Sequence, residues 1–473
     1  MVAIGSISSW KPGRGPVTTW TASPASREIM AHADRDPLPA SFQQAQHLRT
    51  ANFAKNLGRT VPRLIMAGWD IDGWCDIAAM TEAINAHIRR HDTYHSAFDV
   101  YGKDAETIVR RTIDNPERIE FVPTALGFME EDEVRAHVNT ATPGTLEWDC
   151  FTFGVIQKAD HFTVYANVDH LHSDGSSAVL IYRDIDETYK ALIDELPTPS
   201  AEISGYRDFT ARQGMQVDAM TIDSRPIKDW VDFALDAEGS WPSFPLELGK
   251  VGAEGAGRAV TVELLNSAQT EAFDTACRAA GARFSGGVIA CAAMADHKIT
   301  GSETFHTFSP SDTRTGEAQA LSVGWYASIF PVSVAIEDGE FGQMAREAQK
   351  SFDANRHLSA VPFERALDLV SAEELGLSKD TGPGMMVSLF DFRRLTDANA
   401  SNLGLYIDDL SHGGVNMWIT RNADQTIATV SFPDTAEGRH SVHNYLGVLR
   451  SVFVDATTDW VGGIAEGALA HSA

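Results

Sequence analysis

Histidine and aspartate alternate in a short polar segment, HLHSDG, at residues 170–175. Imidazole and carboxylate are the side chains that proteins use for general acid–base chemistry near neutral pH and for binding zinc. Three interpretations are open at this point. The segment is a catalytic base with supporting residues, a metal site with HxHxD spacing formed by His170, His172 and Asp174, or a polar part of the core.

The segment lies between an apolar strand and a helix. Side chains alternate in a strand, so every second residue from Phe162 to His170 faces one apolar side. Most histidines on such a face are core residues. The strand pairs with residues 150–157 through the turn 158–160, and a helix begins near Ser176, with Ser176 or Ser177 as its N-cap. A base at a strand end, a turn carboxylate and a helix N-terminus together suit acyl transfer.

The metal interpretation is the main rival. The HxHxDH sites of metallo-hydrolases end in a further histidine, and Gly175 occupies that place here. The sequence offers no second histidine-rich cluster that would complete the ligand set, and the four cysteines have no metal-binding spacing. A metal-dependent hydrolase that uses His170, His172 and Asp174 therefore stays as the alternative.

Length and residue pattern predict an α/β protein with two lobes. The chain has 473 residues, 43% of them hydrophobic, and a single core rarely grows beyond about 250–300 residues. The segment ELPTPSAEISG carries two prolines and few apolar residues, so we place the boundary between an N-terminal lobe, 1–200, and a C-terminal lobe, 201–473. Amphipathic helical segments and strand-like apolar runs alternate in both halves.

Composition limits location and partners. The net charge of −27 argues against a nucleic-acid-binding protein, which needs a basic surface. No run of about 20 apolar residues predicts a membrane-spanning helix. The N-terminus lacks the pattern of a secretory signal, and the scattered cysteines fit a reduced compartment, so we expect a cytoplasmic protein.

HxxxDG, read as His170, Asp174 and Gly175, resembles the HHxxxDG motif of the condensation-domain and CoA-dependent acyltransferase superfamily. Further segments resemble that superfamily in the same order along the chain. They are NAHIRRHDTYHSAF with Arg90, His91 and Phe98, the P-x-D-x-R segment PSDTR at 310–314, SVGWYASIFPV, and SFPDTAEG. Whole phrases such as SFQQAQHLR and AAGARFSGGV are most similar to mycobacterial polyketide-synthase-associated acyltransferases, which esterify trehalose.

The resemblance implies two chloramphenicol-acetyltransferase-like lobes, each a mixed sheet flanked by helices, with a tunnel between them. It implies that His170 is the general base and that no covalent acyl-enzyme is required. Cys150 is an isolated cysteine in an apolar hairpin, so we expect a core residue rather than a nucleophile. Asp174 is expected to pair with Arg314 and brace the turn, with direct orientation of His170 as the alternative. Gly175 would let the acyl donor pass close to the backbone.

The resemblance also implies the tunnel lining and the substrates. Gly324, Trp325 and Tyr326 are expected to line the tunnel. A core position for the two aromatic residues is equally open. His172 is expected to line the acceptor side of the tunnel or to face solvent. One position departs from the motif, because Asp169 replaces its first histidine, and we expect an effect on local packing rather than on the chemistry.

The implied enzyme transfers a long fatty or polyketide acyl group from acyl-CoA or an acyl carrier protein of a polyketide synthase to trehalose or an acylated trehalose. It needs no metal or bound organic cofactor. We expect a monomer, with loose contact at the inner face of the plasma membrane left open. A non-catalytic binding module with the same fold is the third alternative.

Overall fold

The structure is a computed structural model that describes residues 2–103, 105–199, 202–237, 242–250, 255–336, 340–371, 373–375, 384–394, 402–411 and 413–470. The strands in this part of the chain are β1 (Ala3–Ser6), β2 (Gly15–Ala22), β3 (Asp34–Asp36), β4 (Leu64–Asp72), β5 (Ser96–Tyr101), β6 (Thr107–Thr112), β7 (Phe121–Met129), β8 (Phe151–Gln157), β9 (His161–Asp169), β10 (Gly257–Asn266), β11 (Thr304–Asp312), β12 (Ala327–Ala335), β13 (Met386–Asp391), β14 (Gly404–Ile407), β15 (Asn416–Arg421) and β16 (Gln425–Pro433).

The helices within the same ranges are α1 (Pro24–Ala31), α2 (Phe42–Asn56), α3 (Ile77–Arg90), α4 (Glu131–Ala141), α5 (Gly175–Ile193), α6 (Tyr206–Asp218), α7 (Arg225–Asp236), α8 (Ser267–Ala279), α9 (Phe284–Thr300), α10 (Gly316–Ala320), α11 (Phe341–Asn355), α12 (Phe363–Leu369) and α13 (Ala436–Ala470). None of the helices in the described ranges is both long and apolar enough to cross a membrane.

Two large mixed sheets organise the molecule, which confirms the predicted α/β class. The first sheet has the order β1-β14-β4-β9-β8-β2-β7, and the second has the order β10-β16-β15-β13-β11-β12. A small third sheet, β3-β6-β5, lies in the first half of the chain. The first large sheet packs against α3 and α5, and the second packs against α8, α9, α11 and α13. Each large sheet is therefore flanked by helices, as expected.

The first large sheet is built mainly, but not wholly, from residues before position 200. β14, from the second half of the chain, pairs with β4 through Gly404 and Gly68 and with β1 through Ala3. A strand from the second half is thus exchanged into the first sheet. The lobe boundary at residue 200 stays a prediction. Wherever that boundary lies, the pairing of β14 with β4 and β1 links the two halves of the chain.

The hairpin that leads to HLHSDG is present as predicted. β8 and β9 are antiparallel, and Phe162, Val164, Ala166 and Val168 lie on one face in the core beneath α3 and α5. The strand ends at Asp169, so His170 lies one residue beyond it.

The cap of the next helix differs from the prediction. Asp174, rather than Ser176 or Ser177, is the N-cap of α5, because its carboxylate accepts a hydrogen bond from the Ser177 backbone N–H at 2.7 Å. A carboxylate at this position also interacts favourably with the positive end of the helix dipole.

The segment SVGWYASIFPV is a strand only in its second part, because β12 begins at Ala327. Gly324, Trp325 and Tyr326 precede it in a loop. α8 ends before Gly281 and α9 before Gly301, and both glycines have positive φ, near 75°, as a helix C-terminus favours.

Candidate active site

A cavity of about 380 Å³ lies between the two large sheets, and both halves of the chain line it. His170, Asp174 and Gly175 reach it from the loop after β9 and the start of α5. Trp325 reaches it from the loop before β12. The remaining wall is largely apolar and is formed by side chains of β4, β13, β14 and β15, among them Leu64, Met386, Phe390, Leu405 and Trp418.

His170 is half-buried at one side of this cavity. Its backbone N–H donates to the Arg63 carbonyl at 2.6 Å, and its ring lies against Trp325 with the ring centroids 3.6 Å apart. Its Nδ1 atom is buried and has no hydrogen-bond partner among the described residues, which leaves Nε2 to reach a substrate. Burial, followed by the positive charge of His47, lowers the pKa of His170 to about 4. The imidazole is therefore neutral at physiological pH.

The carboxylate of Asp174 is held by hydrogen bonds and by an ion pair within the fold. Its carboxylate accepts backbone N–H bonds from Ser177, Tyr326 and Ala327 at 2.7, 2.9 and 2.9 Å. The guanidinium of Arg314 lies at 3.4 Å from each carboxylate oxygen. Burial opposes ionisation, but Arg314 and the backbone donors outweigh it and hold the pKa of Asp174 below its usual range. Within the described residues, Asp174 makes no hydrogen bond to His170.

Arg314 ties this site to the second half of the chain. Its side chain is 5% exposed and also contacts the Ser177 hydroxyl at 2.6 Å, the Ser322 carbonyl at 3.0 Å and Asp312 at 3.0 Å. The expected ion pair is thus part of a network that joins α5 to the loop before β12. Arg314 therefore stabilises the turn at Asp174, before α5.

Gly175 and Gly324 permit close approaches. A Cβ on Gly175 would lie 2.7 Å from Cζ of Phe390, and both residues line the cavity. A Cβ on Gly324 would lie 2.3 Å from the Tyr206 ring, and both backbone groups of Gly324 bond the Ser177 hydroxyl. Gly324 thus packs against Tyr206 rather than along the cavity wall.

Of the three predicted tunnel residues in this loop, only Trp325 faces the cavity. Tyr326 is fully buried against Tyr206 and Phe209, and Arg314 lies over its ring at 4.2 Å. Tyr326 therefore takes the core position that was left open for it, and its side chain does not line the cavity.

His172 is in neither of its expected places. It is fully buried and packs against Tyr94 and Phe151, and its Nδ1 lies 3.1 Å from the Thr93 hydroxyl. Burial lowers the pKa of His172 to about 4. It is a neutral core histidine that neither faces solvent nor lines the cavity.

The metal alternative has no geometric basis in the described part of the chain. The ligand atoms of His170, His172 and Asp174 do not converge, since His172 is turned into the core and Asp174 is held by Arg314. Cys150 is likewise fully buried, and burial raises the pKa of its thiol well above the usual range. Neither a metal-bound water nor a cysteine nucleophile fits this site.

One other group of residues brings three ligand-type atoms together in the described ranges. His87, His91 and Asp184 have such atoms within 4.8 Å of one another. Arg90 lies 2.9 Å from the Asp184 carboxylate, and His87 lies 2.7 Å from it. With a guanidinium already on the carboxylate, this group is a buried ionic network between α3 and α5.

Sequence reasoning missed His47 and the partners of Asp169. Asp169 is fully buried and accepts hydrogen bonds from His47 Nε2 at 2.8 Å, Thr145 Oγ1 at 2.7 Å and Arg63 at 3.1 Å. Burial opposes ionisation, but the charges of His47 and Arg63 hold the pKa of Asp169 far below its usual range. The helical spacing of Gln44, His47 and Leu48 on one buried face of α2 was the available signal.

Asp408 was also missed. It lines the cavity from the end of β14 and accepts backbone N–H bonds from Arg63 at 2.7 Å and Leu64 at 2.9 Å. Burial is the largest influence on this carboxyl and raises its pKa to about 6. No local pattern predicts this position, because β14 reaches the first sheet from the far end of the sequence.

The chain is similar to curated acyltransferases along nearly its whole length. It is 38% identical to the 2'-acyl-2-O-sulfo-trehalose (hydroxy)phthioceranyltransferase PapA1 of Mycobacterium tuberculosis, over 98% of this chain and 90% of the relative. It is 40% identical to the trehalose-2-sulfate acyltransferase PapA2 of Mycobacterium bovis, over 96% of this chain and 97% of the relative.

Solved structures give the same result. A PapA2 acyl transferase superposes with a TM-score of 0.90 at 39% identity, covering 96% of this chain and 99% of that chain. The first condensation domain of the calcium-dependent antibiotic synthetase shares the fold, with a TM-score of 0.67 at 17% identity over 90% of this chain and 98% of that chain. The condensation-domain family profile matches residues 66–375. The chain therefore belongs to the condensation-domain family and is an acyltransferase.

Proposed function

We propose that the protein transfers a long fatty or polyketide acyl group from acyl-CoA or an acyl-carrier-protein thioester to a hydroxyl of trehalose or a related glycolipid, with His170 as the general base. The observation that carries this proposal is the neutral imidazole of His170 on a cavity that both sheets line. A neutral imidazole can accept a proton at physiological pH, and the cavity can hold both substrates beside it.

The reaction then needs one base and no covalent intermediate. Nε2 of His170 takes the proton of the acceptor hydroxyl while that oxygen forms a bond to the thioester carbonyl carbon. The carbonyl electron pair moves to its oxygen and gives a tetrahedral oxyanion. When this intermediate collapses, the C–S bond breaks and the proton on His170 passes to the departing sulfur. The products are an ester and a free thiol.

The lining of the cavity supports both substrate classes. The apolar side chains of Leu64, Leu405, Met386 and Phe390 suit a long acyl chain. Polar side chains on neighbouring strands of the second sheet, Ser388, Asn416 and Ser431, suit sugar hydroxyls. The names of the similar proteins supply the specific acceptor, a trehalose derivative.

Asp174 and Arg314 act in this proposal as a brace that fixes the position of the loop carrying His170. Trp325 covers one face of the imidazole.

The mechanism uses no metal or organic cofactor. A monomeric state, and loose contact with the inner face of the membrane, remain predictions.

The decisive experiment is a thiol-release assay with palmitoyl-CoA, run with trehalose and with trehalose-2-sulfate and analysed by mass spectrometry. Wild type is expected to form an acyl ester, and a folded His170→Ala variant is expected to lose at least 100-fold in rate, in line with the size of general-base effects. Full activity in that variant would remove His170 from the reaction. Thioester hydrolysis that depends on His170, without ester formation, would contradict the choice of acceptor.

A further inference from the structure

A second histidine faces the cavity beside His170. His47, on α2, lines the same cavity, and its ring centroid lies 6.3 Å from that of His170 and 5.5 Å from that of Trp325. α2 precedes the motif by more than a hundred residues, so this imidazole reaches the site independently of HLHSDG. The reaction described above assigns it no role.

Asp169 fixes the orientation of this ring. The bond between His47 Nε2 and Asp169 Oδ1 is 2.8 Å long, and the carboxylate is further held by Arg63, Thr145 and the Leu171 backbone N–H. Because Asp169 is ionised, Nε2 of His47 is the donor in this bond, and Nδ1 is the nitrogen left for a ligand. The residue that replaces the first histidine of the motif thus holds another histidine at the cavity.

The two imidazoles have opposite electrostatic surroundings. His170 has no carboxylate hydrogen bond among the described residues, since Asp174 is held by Arg314 and three backbone donors. His47 has the carboxylate of Asp169 directly on its ring, with Nε2 and Oδ1 2.8 Å apart. Enzymes use such pairs of differently placed titratable groups to divide two roles between them.

We propose that His47 is a catalytic residue with a proton on each ring nitrogen: Nε2–H is held by Asp169, and Nδ1–H donates a hydrogen bond to the oxyanion of the tetrahedral intermediate while His170 carries the acceptor proton. The carbonyl oxygen gains negative charge when the C–O bond forms and loses it when the C–S bond breaks, and His47 keeps its proton throughout. Oxyanion donors act from about 2.7–3.1 Å. Both rings line the same cavity with centroids 6.3 Å apart, so a tetrahedral carbon beside the pair can present one oxygen to each ring.

This inference rests on the proposed function, because the oxyanion belongs to that reaction. Two variants separate it from a structural role. His47→Gln keeps an N–H group that can reach Asp169 but removes the imidazole. The double variant His47→Gln/Asp169→Asn also removes the carboxylate that the single change would leave without a charged partner. Gln46→Ala, an exposed position on the same helix, serves as the control, and thermal unfolding monitored by circular dichroism checks that each variant is folded.

In the assay with palmitoyl-CoA and trehalose, both His47 variants are expected to lose about 100-fold in kcat with the KM of each substrate within about twofold of wild type. Activity within threefold of wild type in His47→Gln, or a rise in KM alone, would overturn the proposal. Recovery of kcat in the double variant would also overturn the proposal. The loss of kcat in His47→Gln would then come from the Asp169 carboxylate that has lost its charged partner.

A binding measurement tests His47 without turnover. A pentadecylphosphonate monoester of trehalose, with phosphorus in place of the palmitoyl carbonyl carbon, carries the charge and tetrahedral shape of the intermediate, and trehalose monopalmitate is its neutral counterpart. Calorimetry is expected to show that His47→Gln weakens binding of the phosphonate at least tenfold and leaves the neutral ester unchanged. Equal effects on both ligands would overturn the role of His47. Absence of any ester formation by wild type would instead overturn the proposed function.

Discussion

The imidazole of His170 lies against the indole of Trp325 with ring centroids 3.6 Å apart, although the two residues come from different halves of the chain. The contact depends on the loop before β12, which is held to α5 by Arg314 and by the bonds between Ser177 and Gly324. The candidate base is therefore covered by a residue whose position requires both halves to be correctly packed.

Replacement of Trp325 by alanine is expected to change the products as well as the rate. Without the indole, water gains access to the face of the imidazole and competes with the sugar hydroxyl for the thioester. We expect the ratio of free fatty acid to ester to rise several-fold in Trp325→Ala and to stay near the wild-type value in Trp325→Phe. Mass spectrometry of products at matched thiol release measures this ratio.

Tyr326→Phe is the matched control for that change, because Tyr326 is the next residue but is buried away from the cavity. Its product ratio is expected to equal that of wild type. If Trp325→Ala forms ester and free acid in the wild-type proportion, the indole does not shield the site.

Asp174→Ala is expected to act mainly on stability. It would leave Arg314, 5% exposed, without its buried partner and would remove the acceptor for three backbone N–H groups. Breaking a buried ion pair from one side typically costs about 3–5 kcal/mol in the free energy of unfolding. Urea unfolding measures this loss, and the remaining activity is expected to follow the folded fraction.

Asp312→Ala provides the comparison. Asp312 also pairs with Arg314, but its side chain is 44% exposed, so the change is expected to cost no more than about 1 kcal/mol. A stable Asp174→Ala protein with no activity would indicate that Asp174 acts on His170 directly rather than as a brace.

The local part of this site was predictable from sequence, and the reason is its periodicity. The alternation in β9 and the start of the helix α5 each reflect short-range geometry that the chain carries in its residue order. The expected pairing of Asp174 with Arg314 came from resemblance of the segment PSDTR, and the structure brings these two side chains together.

The remainder of the site depends on contacts between distant segments. Asp169 and His47 are 122 residues apart, and no periodic pattern links a strand end to a helix in an earlier segment. β14 enters the first sheet from the second half of the chain, which brings Asp408 to the cavity. His172 was misplaced because a polar residue in a polar motif gives no sign that its ring packs between Tyr94 and Phe151.

The pH dependence of kcat/KM is expected to follow the lowered pKa of His170. The base must be neutral to accept a proton, and burial, followed by the charge of His47, lowers its pKa from 6.5 to about 4, while Asp174 and Asp169 oppose this shift. The active form is therefore fully populated at pH 7, and kcat/KM should fall only as the pH falls through about 4. Rates measured between about pH 3 and pH 8 at constant ionic strength provide the test.

The folded state must survive the acid end of that range. Unfolding followed by circular dichroism at each pH sets the lower limit, and a return to full activity after readjustment to pH 7 shows that the loss is a titration. An acid limb near pH 6.5 would indicate that His170 is exposed to solvent during the reaction.

Gly175→Ala is expected to narrow the cavity without unfolding the protein. The added Cβ would lie 2.7 Å from Cζ of Phe390, so the phenyl ring must move, while alanine at the first position of α5 suits the helix. We expect the KM for palmitoyl-CoA to rise about tenfold, with unfolding by urea little changed. The double variant Gly175→Ala/Phe390→Leu removes the ring that is in the way, so its KM should return toward the wild-type value. A defect in Gly175→Ala that Phe390→Leu does not relieve would show that the close approach of these two residues does not limit the passage of the acyl donor.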